Sequence, residues 1–258
     1  FLDENINNKN IEKASDIIRN SNNITAFTGA GVSTESNIPD FRSSNGLYAS
    51  GSKSKYKYPP EYMLSHTFFI NEPESFYDYY RTNLVHKDAQ PNDCHKALCK
   101  LEQMGKLKAI VTQNIDGLHQ KAGSKNVYEL HGSVYRNYCM NCGKKFDLDY
   151  VMDQSKKIPR CDACGDIVRP DVVLYEEPLD EDIINGAIRA IRDSDVLIVI
   201  GSSLVVYPAA GLINYYKGNN LILINKSETP YDSIANVVIH SSAGIVMRKI
   251  IENNIKFR

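Results

Sequence analysis

Apolar residues recur at helical spacing through "IEKASDIIRNS" (11–21), and the run Ile24-Thr25-Ala26-Phe27 that follows is nearly continuous. A helix leading into a buried strand opens an α/β unit. The same pattern predicts strands at "LKAIVTQ" (107–113), "VYELHG" (127–132), "DVLIVIGSS" (195–203), "LILIN" (221–225) and "NVVIH" (236–240). Helical spacing falls between several of them, over about 93–104, 180–193, 208–217 and 242–253. Val/Ile/Leu runs without polar alternation belong to strands covered on both faces, so the fold class is α/β, a parallel sheet between two helical layers.

Two stretches break this rhythm. Residues 43–92 begin rich in Ser, Tyr, Lys and Pro and turn aromatic and helical at "FYDYYRTNLV", while residues 133–170 carry cysteines and short alternating runs. Both are expected to stand beside the sheet as walls of a cleft. The predicted partition is 1–42, 93–132 and 171–258 for the sheet domain, 43–92 for a loop and helical module, and 133–170 for a cysteine module. No internal repeat is present.

A chain of 258 residues can bury one large domain carrying an insertion. With 42% hydrophobic residues, 24% charged residues and a net charge of -1, it has no bulk attraction to nucleic acid or an anionic membrane, and neither is expected as a partner. No apolar run approaches the ~18 residues of a membrane-spanning helix, and "FLDENINNKNIEK" lacks the apolar centre of a signal peptide. The expected location is the cytoplasm; a targeting segment ahead of Phe1 would lie outside this sequence.

Six cysteines fall at 94, 99, 139, 142, 161 and 164. The last four form two Cys-x-x-Cys pairs with 18 residues between them, which in a reducing compartment favours a metal over disulfides. Zinc takes four soft thiolates as a tetrahedron, and each Cys-x-x-Cys turn presents two sulfurs from one tight loop. "CMNCGKKF" and "CDACGDIV" both place glycine after the second cysteine, which suits a knuckle turn. With Cys139, Cys142, Cys161 and Cys164 filling the tetrahedron, the predicted Zn2+ is structural, with no open position for water or substrate. Between Cys139 and Cys164 five Lys/Arg stand against four Asp, which is not a basic phosphate-reading face. Cys94 and Cys99 follow a helical pattern and are expected in the core.

After the first strand the chain reads "TGAGVSTESNIPDFR". Glycines let backbone amides approach a pyrophosphate, and a helix N-terminus behind them favours an anion. Gly29 and Gly31 begin such a loop, but Thr34 stands where a dehydrogenase fingerprint has its third glycine. Alone, the turn fits a phosphate loop and an unliganded Gly-rich turn equally. It occurs together with "TQNIDGLHQKAG", "ELHGSV", the paired Cys-x-x-Cys and "GSSLVVYPAA". In that order and spacing, from about residue 10 to 255, the chain resembles the bacterial-type sirtuins, NAD-dependent protein lysine deacylases. The resemblance implies a Rossmann-like sheet domain plus a small zinc-ribbon and helical domain, with NAD and an acylated lysine of a protein or peptide entering the cleft between them.

It also implies roles. Ala30, Gly31 and Thr34 line the NAD phosphates; Asp40, Phe41 and Arg42 sit at the reactive end, Phe41 covering the site once nicotinamide leaves. Gln113 and Asn114 hold the nicotinamide ribose, Asn114 counting with His131 among the catalytic residues, while the Ile115 backbone and Asp116 recognise the carboxamide. Because "TQNID" closes a strand, these groups fall at the carboxyl edge of a parallel sheet, where ligands bind. Amides and a carboxylate there supply both donors and acceptors. His131 matches the catalytic base, since an imidazole with an ordinary pKa of about 6.5 accepts a proton at neutral pH. His119 matches a histidine that supports the loop. Gly201, Ser202, Ser203, Asn225, Lys226 and Ala243 are the adenosine contacts. The substrate peptide is expected to add as a strand between "VVLYEE" (172–177) and "LVVYP" (204–208), touching Val173, Tyr175 and Val206. In the implied reaction the acyl-lysine carbonyl oxygen attacks ribose C1′ and nicotinamide departs. His131 then activates a ribose hydroxyl toward the acyl carbon, and the products are free lysine and 2′-O-acyl-ADP-ribose.

Two positions depart from the family pattern. Tyr175-Glu176-Glu177 replaces the usual Phe-Gly-Glu, so Glu176 is expected to narrow the backbone approach and add charge beside the peptide groove, favouring basic flanking residues. Desuccinylating members carry Tyr-x-x-Arg in the helical insertion; here Tyr77 is kept, Tyr80 takes the Arg position, and Arg81 lies one residue on, on another helical face. Acetyl or longer neutral acyl groups are expected over succinyl. A zinc-containing NAD-dependent dehydrogenase would need the missing glycine and a second strand ending in an acidic residue, where 43–58 offers a Ser/Lys/Tyr loop. A ribbon that only recruits partners would not need the polar set at 113–116 with His131. Transfer of ADP-ribose to protein on the same fold is the remaining alternative.

Overall fold

The computed structural model describes residues 2–41, 46 and 56–256. Helix α1 (Leu2–Arg19) leads into strand β1 (Ile24–Thr28). The helix starts well ahead of its apolar spacing, and the early turns are held by side-chain hydrogen bonds: Asn7 and Asn10 donate to the His240 and Val238 carbonyls at 3.1 and 2.9 Å. Then come α2 (Pro60–Met63), α3 (His66–Asn71), α4 (Pro73–Asn83), α5 (Asp93–Gln103), β2 (Leu107–Thr112), α6 (Leu118–Lys121) and β3 (Val127–Glu129). Strands β4 (Gly132–Cys139), β5 (Lys145–Phe146) and β6 (Val168–Val172) form a small antiparallel sheet, with α7 (Leu148–Met152) between the last two in sequence. The chain continues through α8 (Glu181–Asp193), β7 (Val196–Ile200), β8 (Leu221–Ile224), β9 (Val237–Ile239) and α9 (Ala243–Ile255). The helix expected over 208–217 is instead a 3₁₀ segment, Ala209–Tyr215, with Gly211, a poor α-helix former, inside it.

Six strands form one sheet in the order β3-β2-β1-β7-β8-β9, every neighbouring pair parallel. Alternate residues of its central strands serve two cores. Ile24, Ala26, Ile198 and Ile200 pack with Ile18 of α1, Leu98 of α5 and Met247 of α9, while Phe27, Leu197 and Val199 pack with Ala187 and Ile191 of α8. Burial on both faces explains the absence of polar alternation.

The two stretches that interrupt the α/β rhythm share a third core. Phe68, Phe76, Tyr77 and Tyr80 of the helices pack with Val134, Cys139, Val168 and Leu174 of the ribbon side. The Tyr77 hydroxyl donates to the Val168 carbonyl, and Arg81 donates to the Val151 and Lys157 carbonyls at 2.8 and 3.3 Å.

From β1 the chain moves to β2 on one side and later returns to β7 on the other, so a crevice opens beyond the carboxyl ends of β1 and β7. The two loops leaving those strands touch: Gly29 and Gly31 donate their N–H groups to the Ile200 and Gly201 carbonyls at 3.1 and 2.7 Å. Gly201 has φ +64°, and a Cβ there would stand 2.4 Å from the Val32 nitrogen, so only glycine permits this approach.

Candidate active site

A cleft of about 1030 Å³ opens at this crevice. Ala30, Gly31, Thr34, Asp40 and Phe41 line it from the loop after β1, and Gln113, Asn114, Ile115 and Asp116 from the loop after β2. His131 enters from the turn between β3 and β4. Val173 and Tyr175 follow β6, Gly201, Ser202, Ser203 and Val206 follow β7, Asn225 and Lys226 follow β8, and Ala243 opens α9. Arg42 lies outside the described residues. Tyr80, which the sequence pattern put at the acyl-recognising position of the helical insertion, lines the cleft; sequence reasoning missed Ser33, Asn37, Ile38 and Leu179, and Asn83, Leu84 and His86 at and beyond the end of α4. The aromatic helix was visible in the sequence, but which of its faces meets the cleft depends on packing against the ribbon.

Extension of the sheet ladder places the polar set. The Gln113 N–H donates to the Thr28 carbonyl at 2.9 Å, one step beyond the paired strands, and its Oε1 accepts the Ser202 hydroxyl at 3.0 Å. Ser202 therefore orients Gln113 in addition to lining the cleft. Asn114 donates Nδ2 to the Gly29 carbonyl at 2.9 Å and its N–H to Thr112 Oγ1 at 3.1 Å. Below it the Thr28 hydroxyl donates to Thr112 Oγ1 at 2.8 Å and lies 2.9 Å from His119 Nε2. Burial pushes the His119 pKa down to about 3, so this support is neutral. Asp116 is fixed by the Ser33 hydroxyl at 2.6 Å and the Leu118 N–H at 2.9 Å.

His131 Nδ1 lies 3.0 Å from the Gln113 carbonyl oxygen. A carbonyl only accepts, so in the neutral ring Nδ1 carries the proton and Nε2 keeps its lone pair. Burial lowers the pKa of the ring, against the opposing pull of the Gln113 carbonyl. The ordinary imidazole value expected from sequence is thereby corrected downward. Were His131 the base, as the sequence pattern leads one to expect, its lowered pKa would protonate it only at lower pH, and the acid limb of kcat/KM is expected to fall with a midpoint below the ordinary value of about 6.5. Initial rates across pH 5 to 8 measure this, and a midpoint at or above about 6.5 contradicts the assignment. The His131 carbonyl also accepts the Val173 N–H at 2.9 Å, joining this histidine to the segment expected to pair with substrate.

The four ribbon cysteines converge. Their sulfurs all lie within 4.8 Å of one another, with Cys139–Cys164 at 3.4 Å and Cys142–Cys161 at 3.6 Å. A zinc tetrahedron with bonds of about 2.3 Å has sulfur–sulfur edges of about 3.8 Å, so the donor set fits. The N–H groups of Asn141 and Cys142 point to Cys139 Sγ and that of Ala163 to Cys161 Sγ, each at 3.4 Å, as thiolates require. Gly143 and Gly165 close the two knuckles at φ +73° and +80°.

Glu176, where the family pattern has glycine, stands in the left-handed backbone region at φ +78°. Its carboxylate turns to α3, accepting the Thr67 N–H at 3.0 Å and hydroxyl at 2.8 Å, and those bonds lower its pKa. Glu176 lines the cleft, so the charge expected beside the groove is there, held by the uncharged Thr67. Glu177 is bound more firmly, to Arg169 at 2.7 and 2.9 Å and His66 Nδ1 at 2.8 Å.

A parallel six-stranded sheet with its crevice at the β1/β7 switch, joined to a four-cysteine ribbon, defines a Rossmann-like α/β protein with an inserted metal module. The model described as the Sir2 family matches residues 29–208. The chain belongs to the Sir2 family. A relative from Clostridium acetobutylicum named NAD-dependent protein deacetylase is 62% identical over 241 residues, covering 93% of this chain and 98% of its own length. A solved Sir2 complex with p53 peptide and NAD+ is 38% identical with a TM-score of 0.80, over 92% of this chain and 95% of that one. A Sir2 variant solved with deacetylated p53 peptide and 3′-O-acetyl-ADP-ribose is 37% identical with a TM-score of 0.85, over 94% of this chain and 97% of that one.

Proposed function

We propose that this chain removes acetyl and other neutral acyl groups from lysine side chains of proteins, consuming NAD and yielding nicotinamide, free lysine and 2′-O-acyl-ADP-ribose. The observation that carries this reading is the neutral His131, its proton held on Nδ1, in the same cleft as the glycine loop and the 113–116 set. The relatives named NAD-dependent protein deacetylase support it.

In this reading Ala30, Gly31 and Thr34 receive the phosphates, and Asp40 and Phe41, with Arg42 next in sequence, serve the reactive end. Gln113 and Asn114 orient the nicotinamide ribose, and Asp116, held by Ser33 and Leu118, receives the carboxamide. Ser202, Ser203, Asn225, Lys226 and Ala243 take the adenosine half beside Gly201. A peptide adds as a strand along Val173, Tyr175 and Val206. His131 Nε2 takes the proton of a ribose hydroxyl. Neutral acyl groups are favoured because the one nearby cation on this helix, Arg81, is committed to the Val151 and Lys157 carbonyls, while the uncharged Tyr80 lines the cleft. Among the described residues no helix is long and apolar enough to cross a membrane. Thiolate zinc ligands and use of NAD suit the cytoplasm.

The test is product analysis by mass spectrometry after incubation with NAD and an acetyl-lysine peptide. Matched yields of nicotinamide, free-lysine peptide and O-acetyl-ADP-ribose are expected, with a succinyl-lysine peptide turned over more slowly. NADH among the products rules the reading out in favour of a dehydrogenase, and ADP-ribose left on the denatured target indicates transfer to protein.

A further inference from the structure

The phosphate loop is tied down by a contact from the far end of the chain. The Gly244 N–H, in the first turn of α9, donates to Glu35 Oε1 at 2.9 Å across 209 residues. Helix N-termini leave backbone N–H groups unsatisfied and favour negative charge. In α9, a helix of 13 residues, the N-cap Ser242 makes no side-chain capping bond and the first turn contains no acidic residue. Glu35 supplies what the helix's own sequence omits. The fit is close, since a Cβ on Gly244 would stand 2.2 Å from Glu35 Oε2.

The two ends of this contact flank the cleft. Thr34, next to Glu35, lines it from the loop, and Ser241 and Ala243, next to Gly244 and its cap, line it from α9. A second side chain holds the loop from another helix: Asn92 donates Nδ2 to the Val32 carbonyl and Ser36 Oγ at 2.8 and 2.9 Å, while its Oδ1 accepts the Cys94 N–H at the start of α5. Because α5 and α9 share one core, the loop rests on the N-termini of two helices packed together.

We infer that Glu35 is a positioning residue for NAD, clasping α9 so that the phosphate side and the adenosine side of the cleft stand at a preset separation. This rests on the NAD-dependent reading above. Loss of the clasp adds an ordering cost to cofactor binding. It does not touch His131, which is held through Gln113 and Val173.

Glu35→Ala is expected to raise the KM for NAD by about five- to tenfold, the size of a lost helix cap, with kcat within about twofold. The KM for the acyl peptide stays the same. Glu35→Gln, whose side-chain carbonyl still accepts the Gly244 N–H, restores most of the affinity. Titration calorimetry with ADP-ribose should give the same ranking without turnover. Equal ADP-ribose affinity in wild type and Glu35→Ala overturns the clasp, as does glutamine rescuing no better than alanine, or kcat falling in step with affinity. Wild-type protein that fails to bind ADP-ribose overturns the NAD-dependent reading itself, and the clasp with it.

Discussion

Replacing His131 with alanine is expected to lower formation of O-acyl-ADP-ribose by about 10²- to 10⁴-fold, the usual contribution of a positioned general base. The Gln113 carbonyl holds the ring in the tautomer that leaves Nε2 free, and burial keeps it neutral at pH 7. In the proposed reaction, removing the ring takes away the group that accepts the proton of the ribose hydroxyl. The groups expected to hold NAD keep their own supports: Asn114 on Gly29, Gln113 on Ser202, Asp116 on Ser33. ADP-ribose binding should therefore survive in the variant. In the proposed reaction nicotinamide departs before the step assigned to His131, so exchange of labelled nicotinamide into NAD, with acyl peptide present, should persist while the acyl product disappears. Acyl-product formation at the wild-type rate would remove His131 from the mechanism.

Removing the ribbon metal should have a comparably large effect by a different route. Structural zinc contributes an apparent ~10–16 kcal/mol in small sites, as much as the entire stability of a typical domain at about 5–15 kcal/mol. Cys139 and Cys161 also belong to the core shared with α3 and α4, so loss of the tetrahedron loosens the whole small module. The consequence reaches the site because Gly132, which follows His131, pairs with Val172, which precedes Val173. A shift of about 1 Å at such groups costs on the order of 100-fold in rate. We expect Cys161→Ser or strong chelation to reduce deacylation at least that far and to expose residues 133–170 to protease. The parallel sheet, with its own two cores, should retain its circular dichroism. Wild-type protein should carry one zinc per chain by atomic absorption, and full activity in zinc-free protein would contradict the structural role.

The strands were legible because each is buried on both faces and needs no partner to reveal itself: "LILIN" and "DVLIVIGSS" read as core in isolation. The early turns of α1 were not, since they carry no apolar stripe and depend on Asn7 and Asn10 meeting carbonyls more than 200 residues away. At the site, residue types and their order pointed to the cleft, yet the partner of each group was hidden. Nothing in the spacing shows that Ser202 serves Gln113, that Glu176 turns to Thr67, or that Glu35 caps α9.

Local chemistry determined most of what the sequence alone establishes here: two Cys-x-x-Cys turns make half a tetrahedron each, glycines permit a phosphate loop, and uninterrupted apolar runs make a parallel sheet. The tertiary structure decided the rest, namely the lowered pKa of His131, the face of α4 that meets the cleft and the closure of the loop against α9. These depend on desolvation and on hydrogen bonds between residues far apart in the chain, and such terms have no value until packing sets the distance between them.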